Sequence, residues 1–194
     1  MQTNTATIPS IVVGRVIRER TALNALFVIA ASGLIAIAAQ VAINVPFSPV
    51  PLTLQPLAVL FVGAALGARR GAAAAALYLF EGIIGLPVFA QAHGGAFWLV
   101  GATGGYLMSY PLATWVAGWF SERGWGSTMV RAIAGMLAAL AVVYAGGWSW
   151  LAILAGPGAA FTMGIVPFFV ADIVKIAIAA AMLPYAQRVT ARLS

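Results

Sequence analysis

Apolar runs punctuated by proline, glycine and arginine divide this chain into six segments. Stretches of about 20 apolar residues suit a membrane helix, and shorter ones span when tilted or partly unwound. The first runs from Ala22 to Val45 and stops at Phe47-Ser-Pro-Val-Pro51, because proline lacks a backbone donor and disfavours helix before it. The second covers Leu52 to Leu66 and ends at Gly67; the third covers Ala72 to Ile84 and ends at Gly85-Leu-Pro87. Gly105 to Phe120, Met129 to Tyr144 and Pro167 to Tyr185 complete the set. The pattern predicts an all-α integral membrane fold of six transmembrane helices over residues 22–187, with short tails at 1–21 and 188–194.

The arginines give this pattern a direction. Arg15, Arg18 and Arg20 precede the first span, Arg69 and Arg70 separate the second from the third, Arg123 and Arg131 lie about the fourth connection, and Arg188 and Arg192 follow the sixth span. The connections near residues 46–51, 86–104 and 145–166 hold no lysine or arginine. The positive-inside rule then places both termini and the arginine-bearing connections in the cytoplasm. Six spans satisfy that alternation; five or seven do not. Arginines followed by Leu23–Ile35 and Ala36-Ile-Ala38 imitate a cleaved secretory signal, but cleavage would leave five spans.

Composition agrees. The chain is 63% hydrophobic and 7% charged, against about 25% charged in soluble domains. Its net charge of +6 follows from the cytoplasmic arginines, so no nucleic-acid partner is needed to explain it. The absence of cysteine removes disulfides, thiolate metal sites and cysteine nucleophiles. No Gly-x-x-x-x-Gly-Lys-Ser/Thr segment exists to bind ATP as a P-loop.

Against this apolar background two charges stand out. Asp172 and Lys175, the only aspartate and the only lysine, lie in the sixth span. A charge at bilayer depth costs at least about 2.5–3.5 kcal/mol on insertion scales, so an intramembrane charge is read first as a functional site. The i, i+3 spacing puts both on one helix face, where mutual pairing is the plain alternative. They fall in the outer half of the span, beneath two glycine-rich apolar connections, Leu86–Gly105 and Gly146–Gly158. Backbone in such segments cannot lie bare in lipid and must fold over a cavity or the bundle. Trp148–Ala155 suits a short interfacial helix.

Other polar residues are more ambiguous. His93, the only histidine, has no histidine or cysteine companion for a metal; it is a pocket contact or an interfacial residue. Glu81 faces the cavity, pairs with Lys175 or reaches the headgroups, while Glu122 and Arg123 suit a solvated turn. Ser32 with Ala36, or Ala38 with Ala42, has the spacing that lets helices approach, in a partner or within the bundle. An enzyme using Asp172 or Glu81 as general base would lack any nucleophile–histidine pairing, so we read the chain as a non-enzyme.

Five ordered motifs carry a resemblance: Pro49-Val-Pro-Leu-Thr-Leu-Gln55, Gly67-Ala-Arg-Arg-Gly71, Gly85-Leu-Pro-Val-Phe89, Gly101-Ala-Thr-Gly-Gly-Tyr106 and Pro167-Phe-x-x-x-Asp-x-x-Lys175. Together, over Ala22 to Tyr185, they resemble the BioY family, biotin-binding S-components of energy-coupling factor (ECF) transporters. The resemblance implies the six-helix S-component fold in the bacterial cell membrane, with biotin captured near the outer face. It also implies a transmembrane T-component and ATPase subunits as partners; ATP would be used there, and the chain itself carries no cofactor. Asp172 and Lys175 match the family's biotin-binding pair, Gln55 the glutamine after Pro-x-Pro, and Thr103 and Tyr106 the Gly-Pro-Thr-Gly-Gly-Tyr stretch. Ala102 stands where relatives carry proline, and the run Ala90–Gly95 that holds His93 is less glycine-rich than theirs. Phe168–Ala171 lacks the Pro-Gly that relatives place before the aspartate. Phe89, Phe97, Trp98 and Tyr106 are candidates to pack on the biotin bicycle. Asp172 suits a urea N–H; Lys175 suits the ligand's carboxylate, its urea oxygen, or Asp172 itself.

Overall fold

A computed structural model of the chain describes the backbone of residues 10–193 and the side chains of residues 20–190 and 192. Residues 1–9 of the expected N-terminal tail, and the side chains of Arg15 and Arg18, lie outside the described residues. Among the described residues there are eight α-helices: α1 Ser10–Gln40, α2 Gln55–Leu66, α3 Ala68–Ile83, α4 Phe97–Val100, α5 Gly104–Glu122, α6 Met129–Ala155, α7 Pro157–Gly164 and α8 Val166–Leu193. A two-residue hairpin, β1 Ala42–Ile43 with β2 Leu52–Thr53, pairs Ala42 with Thr53 and Ile43 with Leu52. Three segments, Arg20–Gln40, Met129–Ala155 and Val166–Thr190, are long and apolar enough to cross a membrane.

Helix α5 is central, packing against α6, α3 and α2; α1 lies on α3 and α2, and α8 on α2 and α6. The 12 residues of α2 reach only about 18 Å at 1.5 Å per residue, short of a hydrocarbon core about 30 Å thick. No residue of α2 is exposed, so protein rather than lipid surrounds it and the mismatch is sheltered. Close approach makes this possible. A Cβ on Gly63 would collide with the Thr114 carbonyl of α5. We therefore expect Gly63→Val to force the two helices apart and cost about 1–3 kcal/mol, the usual range for overpacking. A lowered thermal unfolding temperature in detergent checks it.

Several boundaries depart from expectation. The first span ends at Gln40 instead of Val45, because Val41–Val45 is drawn into the hairpin, with Leu54 N–H donating to the Val41 carbonyl at 3.2 Å. The fifth runs on to Ala155, so Trp148–Ala155 forms the last turns of α6 and not a separate interfacial helix. Gly146 and Gly147 do not break it. They are thin places: a Cβ on Gly147 would enter the Tyr106 ring, and one on Gly146 would meet Ser109. The helix before Asp172 begins regularly at Val166, without the relatives' glycine. From Ser10 the expected N-terminal tail is already α1, and beyond Tyr185 α8 continues to Leu193.

The two ends of the bundle differ in chemistry. At one, Gln187 Nε2 donates to Ser121 Oγ at 2.9 Å, and Ser121 Oγ to the Ala64 carbonyl at 2.6 Å, gathering α8, α5 and α2 near Arg70, with Arg123 and Arg188 close by in sequence. Glu122, expected in a solvated turn, also caps α3 by accepting from Ala68 N–H at 2.8 Å. That cap starts α3 four residues before the expected Ala72. Arg123 lies 3.5 Å over the Trp119 ring. The opposite end carries the hairpin, the 86–104 connection and the start of α8.

Candidate functional site

A cavity of about 210 Å³ opens at that second end, walled by the hairpin, the 89–98 segment, α5, α6 and α8. Gln55, His93, Thr103, Tyr106, Asp172 and Lys175 all line it. Sequence-distant residues thus meet in one space, below the roughly 300 Å³ at which drug-sized pockets begin. It suits a small ligand.

Asp172 and Lys175 form the floor, 2% and 7% exposed. Their separation is 2.8 Å, Lys175 Nζ to Asp172 Oδ1. Lys175 also donates to the Thr53 carbonyl at 2.6 Å, and Tyr144 hydroxyl donates to Asp172 Oδ2 at 2.7 Å. A buried ion pair needs such supplementary bonds, because desolvation otherwise outweighs the Coulomb gain. Among the described residues no buried side-chain nitrogen or oxygen lacks a partner. The floor is therefore a satisfied chain of carbonyl, ammonium, carboxylate and phenol.

Thr53 joins this chain to a second one. Its hydroxyl donates to Gln55 Oε1 at 3.2 Å and accepts from Gln55 N–H at 3.2 Å; Gln55 Nε2 then donates to Tyr78 hydroxyl at 2.6 Å. Gln55 is thus held at the first turn of α2 with its amide committed on both sides. Tyr106 presents its ring to the cavity while its hydroxyl donates to the Gly164 carbonyl at 2.8 Å. Thr103 makes one long bond, 3.4 Å to the Trp98 carbonyl.

The 89–98 segment supplies the roof. His93 stacks on Trp98, ring centroids 4.0 Å apart, and its Nδ1 lies 2.8 Å from the Ala90 carbonyl. A carbonyl only accepts, so Nδ1 donates to it and Nε2 is the ring nitrogen left for another partner. Gln91 and Ala92 both adopt left-handed backbone, φ 60° and 58°, which non-glycine residues seldom do. Gln40, the last residue of α1, clips this turn. Its Oε1 accepts from Ala92 N–H at 2.8 Å and its Nε2 donates to the Phe89 carbonyl at 3.2 Å. Gln91 Nε2 donates to Asn44 Oδ1 at 2.8 Å, tying the segment to the hairpin side. Gln40→Ala is expected to raise the opening of this turn about fivefold, from about 1 kcal/mol for a lost hydrogen bond. Faster hydrogen exchange at the Ala92 amide is the measurement.

Some expectations fail. Phe97 is 79% exposed and lines nothing, whereas Phe89, Trp98 and Tyr106 do line the cavity. Glu81 neither faces the cavity nor pairs with Lys175; its Oε2 accepts from Ser32 Oγ at 2.6 Å across the α1–α3 contact. Ser32 is fully buried there, so that small residue serves packing within the bundle. Asp172 is already bonded to Lys175 and Tyr144, and Glu81 stands outside the cavity. Tyr144, Thr53, Tyr110 and Phe168 line the cavity without having been singled out. Thr53 and Phe168 lie inside quoted motifs, but Tyr144 had no signal beyond being a polar aromatic near a glycine pair.

Comparison with known proteins decides the family. A family model described as "BioY family" matches residues 10–192, nearly the whole chain. The chain belongs to the BioY family. A probable biotin transporter BioY of Pyrococcus horikoshii is 39% identical over 161 residues, 83% of this chain and 91% of that protein. The biotin transporter BioY of Rhizobium etli is 37% identical over 148 residues, covering 71% and 78%. That of Thermotoga maritima is 38% identical over 139 residues, covering 71% and 81%. Among solved structures, the S-component for biotin from an ECF-type ABC transporter superposes with a TM-score of 0.76 at 20% identity, over 98% of this chain and 95% of that one. The mostly helical fold is that of this S-component. With its three long apolar helices and these BioY relatives, the chain is a multi-pass membrane protein.

Proposed function

We propose that this protein is the biotin-binding S-component of an ECF transporter and captures biotin from the outer face of the cell membrane. The observation that carries the reading is the buried Asp172–Lys175 pair flooring a pocket of small-ligand size. Biotin has an apolar fused bicycle, a urea with two N–H donors and one oxygen acceptor, and a carboxylate. The Asp172 carboxylate can accept from a urea N–H, and such charge-assisted bonds are worth about 1.5–3 kcal/mol. Phe89, Trp98, Tyr106 and Phe168 offer apolar surface to the bicycle. The names of the relatives support the same ligand. Gln55, Thr103 and His93 complete the wall in this reading.

The topology we propose has six crossings, with α2, α3 and α5 counted beside the three long helices and both termini in the cytoplasm. The arginine distribution supports it. A transmembrane T-component and ATPase subunits supply the energy, and ATP is used there. The chain is a carrier of binding specificity, not an enzyme. Titration of the protein purified in detergent with biotin tests this reading. Saturable tight binding is expected; a folded protein that ignores biotin would overturn it.

A further inference from the structure

The cavity is electrically lopsided. Among the described residues, Lys175 is the only lysine or arginine that lines it, and that ammonium is already committed to Asp172 and the Thr53 carbonyl. The mouth is marked by the exposed lining residues Asn44, Pro49 and Gln91, all neutral, and by the half-buried His93, one of whose ring nitrogens is committed to backbone. Gln91 donates to Asn44, which leaves the Gln91 Oε1 acceptor and the Asn44 Nδ2 donor for a visitor. Among the described residues, no lysine or arginine stands at the mouth. One acceptor and one donor there suit a group that can both donate and accept.

This inference rests on the biotin reading. Asp172 can take a urea N–H only if the bicycle lies at the buried floor, and the valeryl chain then runs toward the exposed mouth. We infer that the pocket selects the ureido bicycle and is indifferent to the charge of the tail, so that uncharged amides of biotin are ligands of this site as well. The tail carboxylate stays at the wet end, screened by solvent and unpaired with any cation. A primary amide there loses no ion pair and gains both halves of its hydrogen-bonding capacity from Asn44 and Gln91.

The test is equilibrium competition on the full-length protein in detergent, with labelled biotin displaced by biotin, by its primary amide, and by a biotin whose ureido nitrogens are blocked. The amide is expected to compete within tenfold of biotin, and the blocked ring at least 100-fold worse. An amide more than tenfold weaker than biotin overturns the inference, as does a blocked ring that competes like biotin. If labelled biotin itself fails to bind a protein that still shows a cooperative thermal transition, the proposed function fails instead, and that result is seen before any competitor is added.

Discussion

Asp172→Asn is expected to lower biotin affinity at least about 100-fold, or about 2.8 kcal/mol at 1.4 kcal/mol per decade. Asparagine keeps the shape but turns one acceptor oxygen into a donor. The urea N–H loses its charged acceptor, a bond in the range of about 1.5–3 kcal/mol. Tyr144, which donates to Oδ2 at 2.7 Å, and Lys175, which donates to Oδ1 at 2.8 Å, lose theirs as well. The pocket floor then rearranges around an uncompensated ammonium. Titration in detergent gives the affinity, and thermal unfolding without ligand shows that the variant is folded. Affinity like that of the unsubstituted protein would remove Asp172 from the site.

Lys175→Met carries the larger cost in stability. It strands a carboxylate that is 2% exposed, with only the Tyr144 hydroxyl to satisfy it. Breaking a buried pair by removing one partner typically costs about 3–5 kcal/mol. The Thr53 carbonyl also loses its 2.6 Å donor, which loosens the hairpin end at β2. The double variant Asp172→Asn/Lys175→Met is expected to recover much of that loss, because no buried charge remains, while biotin binding stays as weak as in Asp172→Asn. Thermal unfolding of the two single variants and the double variant completes a cycle. A double variant as unstable as Lys175→Met would show that the two charges are not coupled in the folded protein.

The pair itself was legible because charge is so rare in an apolar run that position alone marks it. The prolines at 49 and 51, the glycines at 67 and 85, and the arginines gave the order of segments for the same reason, since each acts locally. Tertiary contact decided the rest. Gly146 and Gly147 look like a helix end, yet the Tyr106 ring and Ser109 fill the space where side chains would be, and α6 runs through. Tyr144 therefore sits in a wall opposite Asp172 instead of at a span's end. Gln40 falls inside the first expected span with nothing to mark it; its role as a clip depends on a turn 52 residues away with unusual backbone. Glu81 illustrates the converse, a conspicuous carboxylate whose partner is a serine on a neighbouring helix.

The contrast between the two ends of the bundle bears on how the molecule sits and moves in its solvent. Residues 41–56, 82–106 and 143–171 contain no aspartate, glutamate, lysine or arginine, and the charges beneath them are the closed Asp172–Lys175 pair and Glu81, which accepts from Ser32. Bringing that end into hydrocarbon means stripping water from loops that already satisfy much of their backbone. Doing the same to the arginine end would cost at least about 2.5–3.5 kcal/mol for each guanidinium. The protein is thus asymmetric in freedom as well as in charge. One end is pinned at the aqueous boundary, while the ligand-bearing end can change its depth or tilt at far smaller electrostatic cost.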